Sequence, residues 1–319
     1  MKKHLFLLLI ITLCLFTTSC NQSGDDDDLF FNDFEPATGL GVPPPGAEGS
    51  GPWATRVMLA VSNDGLTFTR TNEIVADQGG VPNLMVDHKG HLRVYYQAWQ
   101  NYGRENGNDG DFMAFAILDS ETERWYYHKV LLDKTYAAPA VDPSIVPLSE
   151  GNYRLYYMAD TGNFTLRIFS ATSDNGLDFT VDSGERLAPS ELIFDPMVLE
   201  TESGWLLIAG PNGQYSATSP DGIFFTEPTP FEVEGRRFHA WAGVELPQGG
   251  YRLYGYFIDD GGLTSVSSPD GESWTDDGGE RLTDDGANPS LEAGFATDVG
   301  VAVLPDGTYL MAYLAIIPE

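Results

Sequence analysis

Five stretches of the chain alternate aromatic and aliphatic residues just after a glycine. They read GHLRVYYQAW from Gly90, GNYRLYYMAD from Gly151, GWLLIAG from Gly204, GYRLYGYF from Gly250 and GTYLMAYLA from Gly307. Each follows a shorter apolar run: VPNLMVD, VDPSIVPL, FDPMVLE, WAGVELP and TDVGVAVLP. Short runs rich in β-branched and aromatic residues, bounded by turn formers, are strands. A third phrase recurs between them: SNDGLTFT from Ser62, SDNGLDFT from Ser173, SPDGIFFT from Ser219 and SPDGESWT from Ser268, with DSETERWYY from Asp119 as a worn copy. Asp-Gly or Asn-Gly between such runs marks a hairpin, because glycine supplies the positive φ the turn requires.

The phrases return roughly every fifty residues, which is the period of a propeller blade of four short strands. The pattern therefore predicts an all-β fold, a five-bladed β-propeller over 53–319. In each blade the apolar run is the inner strand, the aromatic run the second, and the Ser-x-Asp-Gly turn joins the third to the outermost. The last repeat stops after its second strand at Tyr313, and TRVMLAVSNDGLTFTRT near the start supplies only a third and a fourth. The N-terminal strands are thus expected to complete the last blade and close the ring, leaving no free radial edge. A sandwich does not require the fivefold phrase, and a doubly wound fold requires amphipathic helices that the sequence lacks.

The first residues read differently. Lys2 and Lys3 precede LFLLLIITLCLF, too short for a comfortable membrane span, and TTSC follows. This resembles a bacterial lipoprotein signal peptide over 1–19, with Thr17 where leucine is usual. The resemblance implies lipidation of Cys20, export, and an outer-membrane lipoprotein that meets the membrane through its lipid anchor only, facing the periplasm or the cell surface. A plain secretory signal is the alternative. Residues 20–52, acidic and then rich in Pro and Gly, read as a tether. Within it Asp25–Asp28 resembles the acidic export tag of surface lipoproteins. With Cys14 in the leader and Cys20 lipidated, the mature domain has no disulfide.

Charge narrows the partners. With 17 Lys and Arg against 47 Asp and Glu, the formal net charge is -30. Such a surface repels phosphate backbones, so nucleic acid is excluded as a partner, and it disfavours polyanionic glycans.

In a propeller the inner strands surround one channel, so their first residues converge however far apart they lie in sequence. The equivalent positions are Val81-Pro82-Asn83, Asp142-Pro143-Ser144, Asp195-Pro196, Trp241 with His239 two residues before, and Asp298. Entry loops add Asp77, Tyr136, Glu191, Arg236, Arg237, Asn288 and Glu292. Five blades, inner strands opening on VDP and FDP, and second strands like YRLYY resemble the arabinanase, levansucrase and invertase superfamily of five-bladed glycosidases. That resemblance implies a carbohydrate substrate and three acidic side chains at the mouth. It places Asp142 at the position that tunes the general acid and holds the sugar. The chain departs from it at Val81 and Asn83, where the family has its catalytic Asp, at Asp195 in place of the usual Glu, and at Asp298 in a blade where the family has no catalytic acid.

Glycoside cleavage requires one protonated carboxyl at the leaving oxygen and one ionised carboxylate on the other face of the sugar. The expected assignment is Asp195 as acid, Asp298 as base and Asp142 as modulator, in a glycoside hydrolase acting on a neutral glycan. Asn83, Tyr136, Arg236, Arg237, His239, Trp241 and Glu292 are the candidate substrate-binding residues, Trp241 and Tyr136 as stacking platforms. No cofactor is required. The resemblance allows a channel Ca2+ or Na+ with His239 as ligand. The alternative reading, which Val81 and Asn83 favour, is a non-catalytic glycan-binding or scaffolding propeller. SPDGESW is similar to the Asp-box of sialidases, but that box holds one more residue between Asp and Gly and accompanies six blades and an arginine triad. No zinc-binding run, Walker loop or dinucleotide fingerprint is present.

Overall fold

The computed structural model describes residues 29–43, 51–99, 110–149, 151–187, 193–210, 215–283, 286–294 and 297–319. The leader, Cys20, Asp25–Asp28 and Glu191 lie outside the described residues. Those described contain strands and a 3-10 turn at Pro52–Ala54, with no α-helix.

Five sheets form five blades, antiparallel except where the short Leu131–Leu132 runs parallel to Asp178–Val181 at the outer edge of the second. From the inner strand outward, the first blade is Gly79–Val86, Leu92–Trp99, Asp111–Asp119 and Arg124–Lys129. The second is Val141–Pro147, Tyr153–Asp160, Leu166–Ser173 and Asp178–Val181, and the third Met197–Thr201, Gly204–Ala209, Tyr215–Ser219 and Thr229–Pro230. The fourth runs Arg236–Glu245, Tyr251–Phe257, Thr264–Ser268 and Thr275–Asp276. The fifth joins the two ends of the chain. Its inner strands are Thr297–Val303 and Tyr309–Ile316, and Thr55–Ser62 pairs with Tyr309–Ile316 along its whole length before Thr69–Asp77 finishes the blade. The inner strands touch in the cyclic order of the blades, the fifth returning to the first.

Side chains alternate across a strand, so neighbours in a second strand face opposite seams. Tyr95 fills the seam between the first and second blades, while Tyr96 fills that between the fifth and first. Tyr157 and Tyr156 divide in the same way between the seams on either side of the second blade. The repeated Tyr-Tyr pair is therefore one ring for each face.

The repeated turn has a partner as well. In the second blade's turn, Asn175 O accepts Arg93 Nη1 at 2.7 Å and Gly176 O accepts the Tyr95 hydroxyl at 2.7 Å. Arg154 and Tyr156 hold the third blade's turn at Asp221 O and Gly222 O, 2.9 and 2.8 Å. Arg252 and Tyr254 hold the fifth blade's turn at Asp64 O and Gly65 O, both at 3.0 Å. Each Arg-x-Tyr of one blade thus latches the turn of the next, at the end of the ring away from the inner-strand starts. Glycine is required there twice over: φ is 68 to 74° at Gly65, Gly176 and Gly222, and a Cβ would lie within 3 Å of the latching Arg and Tyr. In the third blade the latch positions are Leu206 and Ile208, in the fifth Leu310 and Ala312, so these two blades make no such latch.

The seam between the fifth and first blades is clasped instead by residues 29–43, which differ from the expected tether. Phe34 packs into the core shared by those blades, edge-on to Phe112 at 5.3 Å. Asp33 N–H donates to Tyr127 O of the first blade (2.8 Å), and Gly39 N–H to the Asp77 carboxylate of the fifth (2.6 Å). The acidic, then Pro- and Gly-rich composition of 20–52 as a whole conceals the apolar residues Leu29, Phe30 and Phe34 that bring 29–43 down onto the ring.

Candidate functional site

Each inner strand begins with an irregularity. In the first, second and fifth blades one extra residue interrupts the ladder, between Gly80 and Asn83, Val141 and Ser144, and Thr297 and Gly300. The residues bulged there are Val81, Asp142 and Asp298, with φ of 46, 56 and 40°. Asp195 repeats the conformation just before the third blade's inner strand, at φ 48°. Bulges of this kind turn a side chain out of the sheet and gather near active sites. Asp tolerates left-handed backbone, whereas a β-branched residue there is a genuine outlier. In the fourth blade the irregularity falls between Ala240 and Ala242, making Trp241 the extra residue and pairing His239 with Tyr256.

These bulges line the mouth of the channel. A depression there is bounded by Val81, Pro82, Pro143, Asp195, Pro196, Trp241, Asp298 and Val299. Asp142 lies beneath it, only 6% exposed, and its Oδ2 accepts the Asp195 backbone N–H at 3.4 Å. Burial, then the charge of Asp195 and more weakly those of Asp298 and Asp111, push the Asp142 carboxyl well above the usual carboxylate range. Asp195 keeps 27% of its side chain exposed, so a ligand can reach it. Burial raises its pKa to about 6. Asp298 rises to about 7 through burial and the neighbouring Asp195 charge.

An aromatic wall stands beside the carboxylates. His239 Nε2 is 3.9 Å from Asp195 Oδ2, and burial lowers the imidazole pKa to about 4, so the ring is neutral at neutral pH. It stacks on Tyr256 at 4.9 Å, and Trp241 leans on both rings at 5.3 and 5.0 Å. Burial, then Asp195 and Asp298, raise the Tyr256 phenol. Tyr256 was not among the sequence candidates, although it lies directly across the ladder from His239. Its signal was Gly255, which breaks the aromatic run because a Cβ there would fall 1.6 Å from His239 O.

The remaining candidates are engaged elsewhere. Asn83 Oδ1 accepts Ile145 N–H at 3.0 Å, tying the first inner strand to the second, as Ser144 Oγ ties the second to the third through Val198 N–H at 3.1 Å. The Tyr136 hydroxyl shares a 2.7 Å hydrogen bond with that of Tyr157, and its ring packs on Phe169. Arg236 pairs with Asp260 and Asp276 and lies 3.7 Å over the Phe257 ring, while Arg237 is exposed on the same strand. Glu292 is buried against Arg70 (2.5 Å) and accepts the Tyr313 hydroxyl (3.3 Å), holding its loop to the fifth blade. Asp77 pairs with Arg56 at 2.8 Å, and Asn288 closes a turn on Ser290. Among the described residues no group of three His, Cys, Asp or Glu side chains is placed to hold a metal ion.

No protein-family profile matches the chain, and no curated protein sequence does. Solved structures do. An N-acetylgalactosamine deacetylase from F. plautii, solved with blood group B trisaccharide, shares 15% identity at a TM-score of 0.55, over 79% of this chain and 82% of that one. An α-L-arabinofuranosidase from Clostridium thermocellum shares 17% at 0.54, over 72% and 80%. A glycosyl hydrolase from Bacteroides ovatus shares 14% at 0.50, over 76% and 84%. At these identities the likeness is one of fold, and the fold is the five-bladed propeller that the repeats predict.

Proposed function

We propose that the protein is a glycoside hydrolase that cleaves a neutral glycan at the propeller mouth, exported and held to the outer membrane through lipidated Cys20. The observation that carries this reading is the set of three aspartates on left-handed backbone at the inner-strand starts of three different blades, all with raised pKa values. Asp195 and Asp298 titrate together, with apparent values of about 6 and about 7. Between those values the pair holds one proton for two carboxyls. That form supplies what glycoside cleavage requires, a carboxyl to protonate the leaving oxygen and a carboxylate to activate water or attack the sugar. In that form the proton rests mainly on Asp298, the carboxyl of higher pKa, so the roles expected from the sequence are exchanged in this proposal: Asp298 is the acid and Asp195 the base. Asp142, too buried to meet the sugar, positions Asp195 by accepting its backbone N–H. Trp241, Tyr256 and neutral His239 offer an aromatic face to a sugar ring.

Val81 favours a second reading, a glycan-binding propeller without turnover, because an apolar residue stands where the resembling enzymes carry an acid. One experiment separates the two. The chain from residue 29 onward is assayed on chromogenic pentosides and hexosides and on plant and algal polysaccharides, beside Asp142→Asn, Asp195→Asn and Asp298→Asn. Turnover lost in the variants, with a different limb of the pH profile removed in Asp195→Asn and Asp298→Asn, supports the enzyme. Glycan binding without turnover, surviving all three changes, supports the binding protein.

A further inference from the structure

We infer that Phe164 is a sugar-stacking platform on the rim of the mouth, extending the site to a second or third residue of a glycan chain. The inference rests on the reading of the mouth as a glycan site. Phe164 is 84% exposed, the largest exposure among the large apolar side chains described. It lies in the loop from Thr161 to Thr165, between the second and third strands of the second blade. That loop is at the mouth end, since the ladder sets Val141, next to Asp142, opposite Met158 near the end of the second strand. Adjacent strands are about 5 Å apart, which places the loop roughly 5–10 Å outward from the inner strand, about the reach of one or two sugar rings.

The loop is built to present the ring. Asn163 and Phe164 are both left-handed, with φ of 55 and 57°, a conformation an aromatic residue rarely adopts. Asp160 Oδ1 imposes it by accepting the N–H groups of Gly162 (2.7 Å) and Thr165 (3.0 Å), and Thr161 N–H closes the loop on Thr165 O (3.0 Å). Such strain persists only where the surroundings enforce it, and it gathers at ligand-binding places. The loop is joined to the segment carrying Tyr136 by the bond from Ala137 N–H to Asp160 O (3.0 Å). Tyr136 itself is packed on Phe169 and Tyr157, so the open aromatic face in this neighbourhood belongs to Phe164.

The test is retardation in native gels cast with soluble arabinan, xylan, mannan or galactan, run on the Asp195→Asn background so that the polymer is not consumed. Phe164→Ala is expected to weaken retardation about 3- to 10-fold, the range of an aromatic stacking contact, and Phe164→Trp to retain it. Phe224→Ala is the control, since Phe224 is 76% exposed beside a turn at the opposite end. It should leave retardation unchanged. Melting temperatures within a degree of the parent confirm that the variants are folded. If a polymer retards the parent and Phe164→Ala equally, the platform is wrong while the mouth stands. If no polymer retards the parent, both the platform and the glycan site fail.

Discussion

The two ends of the ring use aspartate in opposite ways. In the turns, Asp64, Asp221 and Asp270 each accept two backbone N–H bonds of 2.8 to 3.0 Å within the turn. Those bonds hold the carboxyls below their usual pKa. At the mouth, Asp142, Asp195 and Asp298 lose water without gaining comparable donors, and burial drives their pKa values up. One end gives ionised carboxylates a structural task that favours folding. The other holds carboxyls where ionisation is disfavoured, on strained backbone, in one depression. Sites that work against local stability in this way are where chemistry is sought.

The largest expected effect follows from that contrast. Asp298→Asn and Asp195→Asn should each lower turnover by about 10²- to 10⁴-fold, the usual contribution of a general acid or base. They should also stabilise the protein at alkaline pH. A carboxyl raised to about 7 keeps its proton in the folded chain at pH values where the unfolded chain has released it. Its contribution to stability is therefore present near pH 4 and lost as pH rises through about 7. Asn removes that loss and still tolerates left-handed φ. Melting temperatures taken from pH 4 to pH 8 should show the variant's advantage growing with pH. Asp221→Asn at the other end should show the reverse sign, a deficit at neutral pH that disappears below the carboxylate range. A mouth variant that melts below the wild type at pH 8 would break the comparison.

Within the turn end, a second contrast isolates the latch. Gly222 and Gly271 occupy the same place in successive blades, at φ 72 and 79°. A Cβ on Gly222 would meet the Tyr156 hydroxyl at 2.6 Å and both Arg154 Nη1 and the Trp205 ring at 2.9 Å, whereas on Gly271 its nearest neighbours all belong to the Thr201 side chain, from 2.9 Å. Alanine at either position bears the left-handed penalty, about 1–2 kcal/mol. At Gly222 it also displaces two hydrogen bonds of about 1 kcal/mol each. Urea unfolding should then give a loss of about 3–4 kcal/mol for Gly222→Ala and about 1–2 for Gly271→Ala. Equal losses would mean that Arg154 and Tyr156 add nothing to the seam.

What the sequence disclosed follows from its symmetry. Blade order, ring closure and the convergence of Asp142, Asp195 and Asp298 are all consequences of a repeat, and a repeat is visible without coordinates. The latch is half visible: Arg93-x-Tyr95, Arg154-x-Tyr156 and Arg252-x-Tyr254 stand in plain view, but each acts on a turn in another repeat. The loops were not legible, because nothing periodic governs where they fold. Glu292 turned inward to Arg70, and Arg236 to Asp260 and Asp276. Residues 29–43 packed on the ring through apolar side chains that an acidic composition outweighed. Trp241 was placed at the mouth, but one step along from the bulged aspartates, since the fourth blade shifts its register later than the others.

The smallest predicted effect concerns Val81, the one bulged mouth residue that is neither acidic nor suited to its backbone. At φ 46° its branched side chain is strained where its counterparts are aspartates. Val81→Asn should relieve that strain and stabilise the protein by about 1 kcal/mol, the lower bound of the left-handed penalty. Val81→Asp relieves the same strain but adds a fourth carboxyl to the mouth, so its gain should appear near pH 4 and vanish by pH 8 as like charges accumulate. The difference between the two curves measures the electrostatic cost of the mouth apart from its backbone cost. If Val81→Asn is less stable than the wild type at every pH, the packing of Val81 outweighs its strain. The valine's contacts in the wall of the depression then hold the left-handed backbone in place.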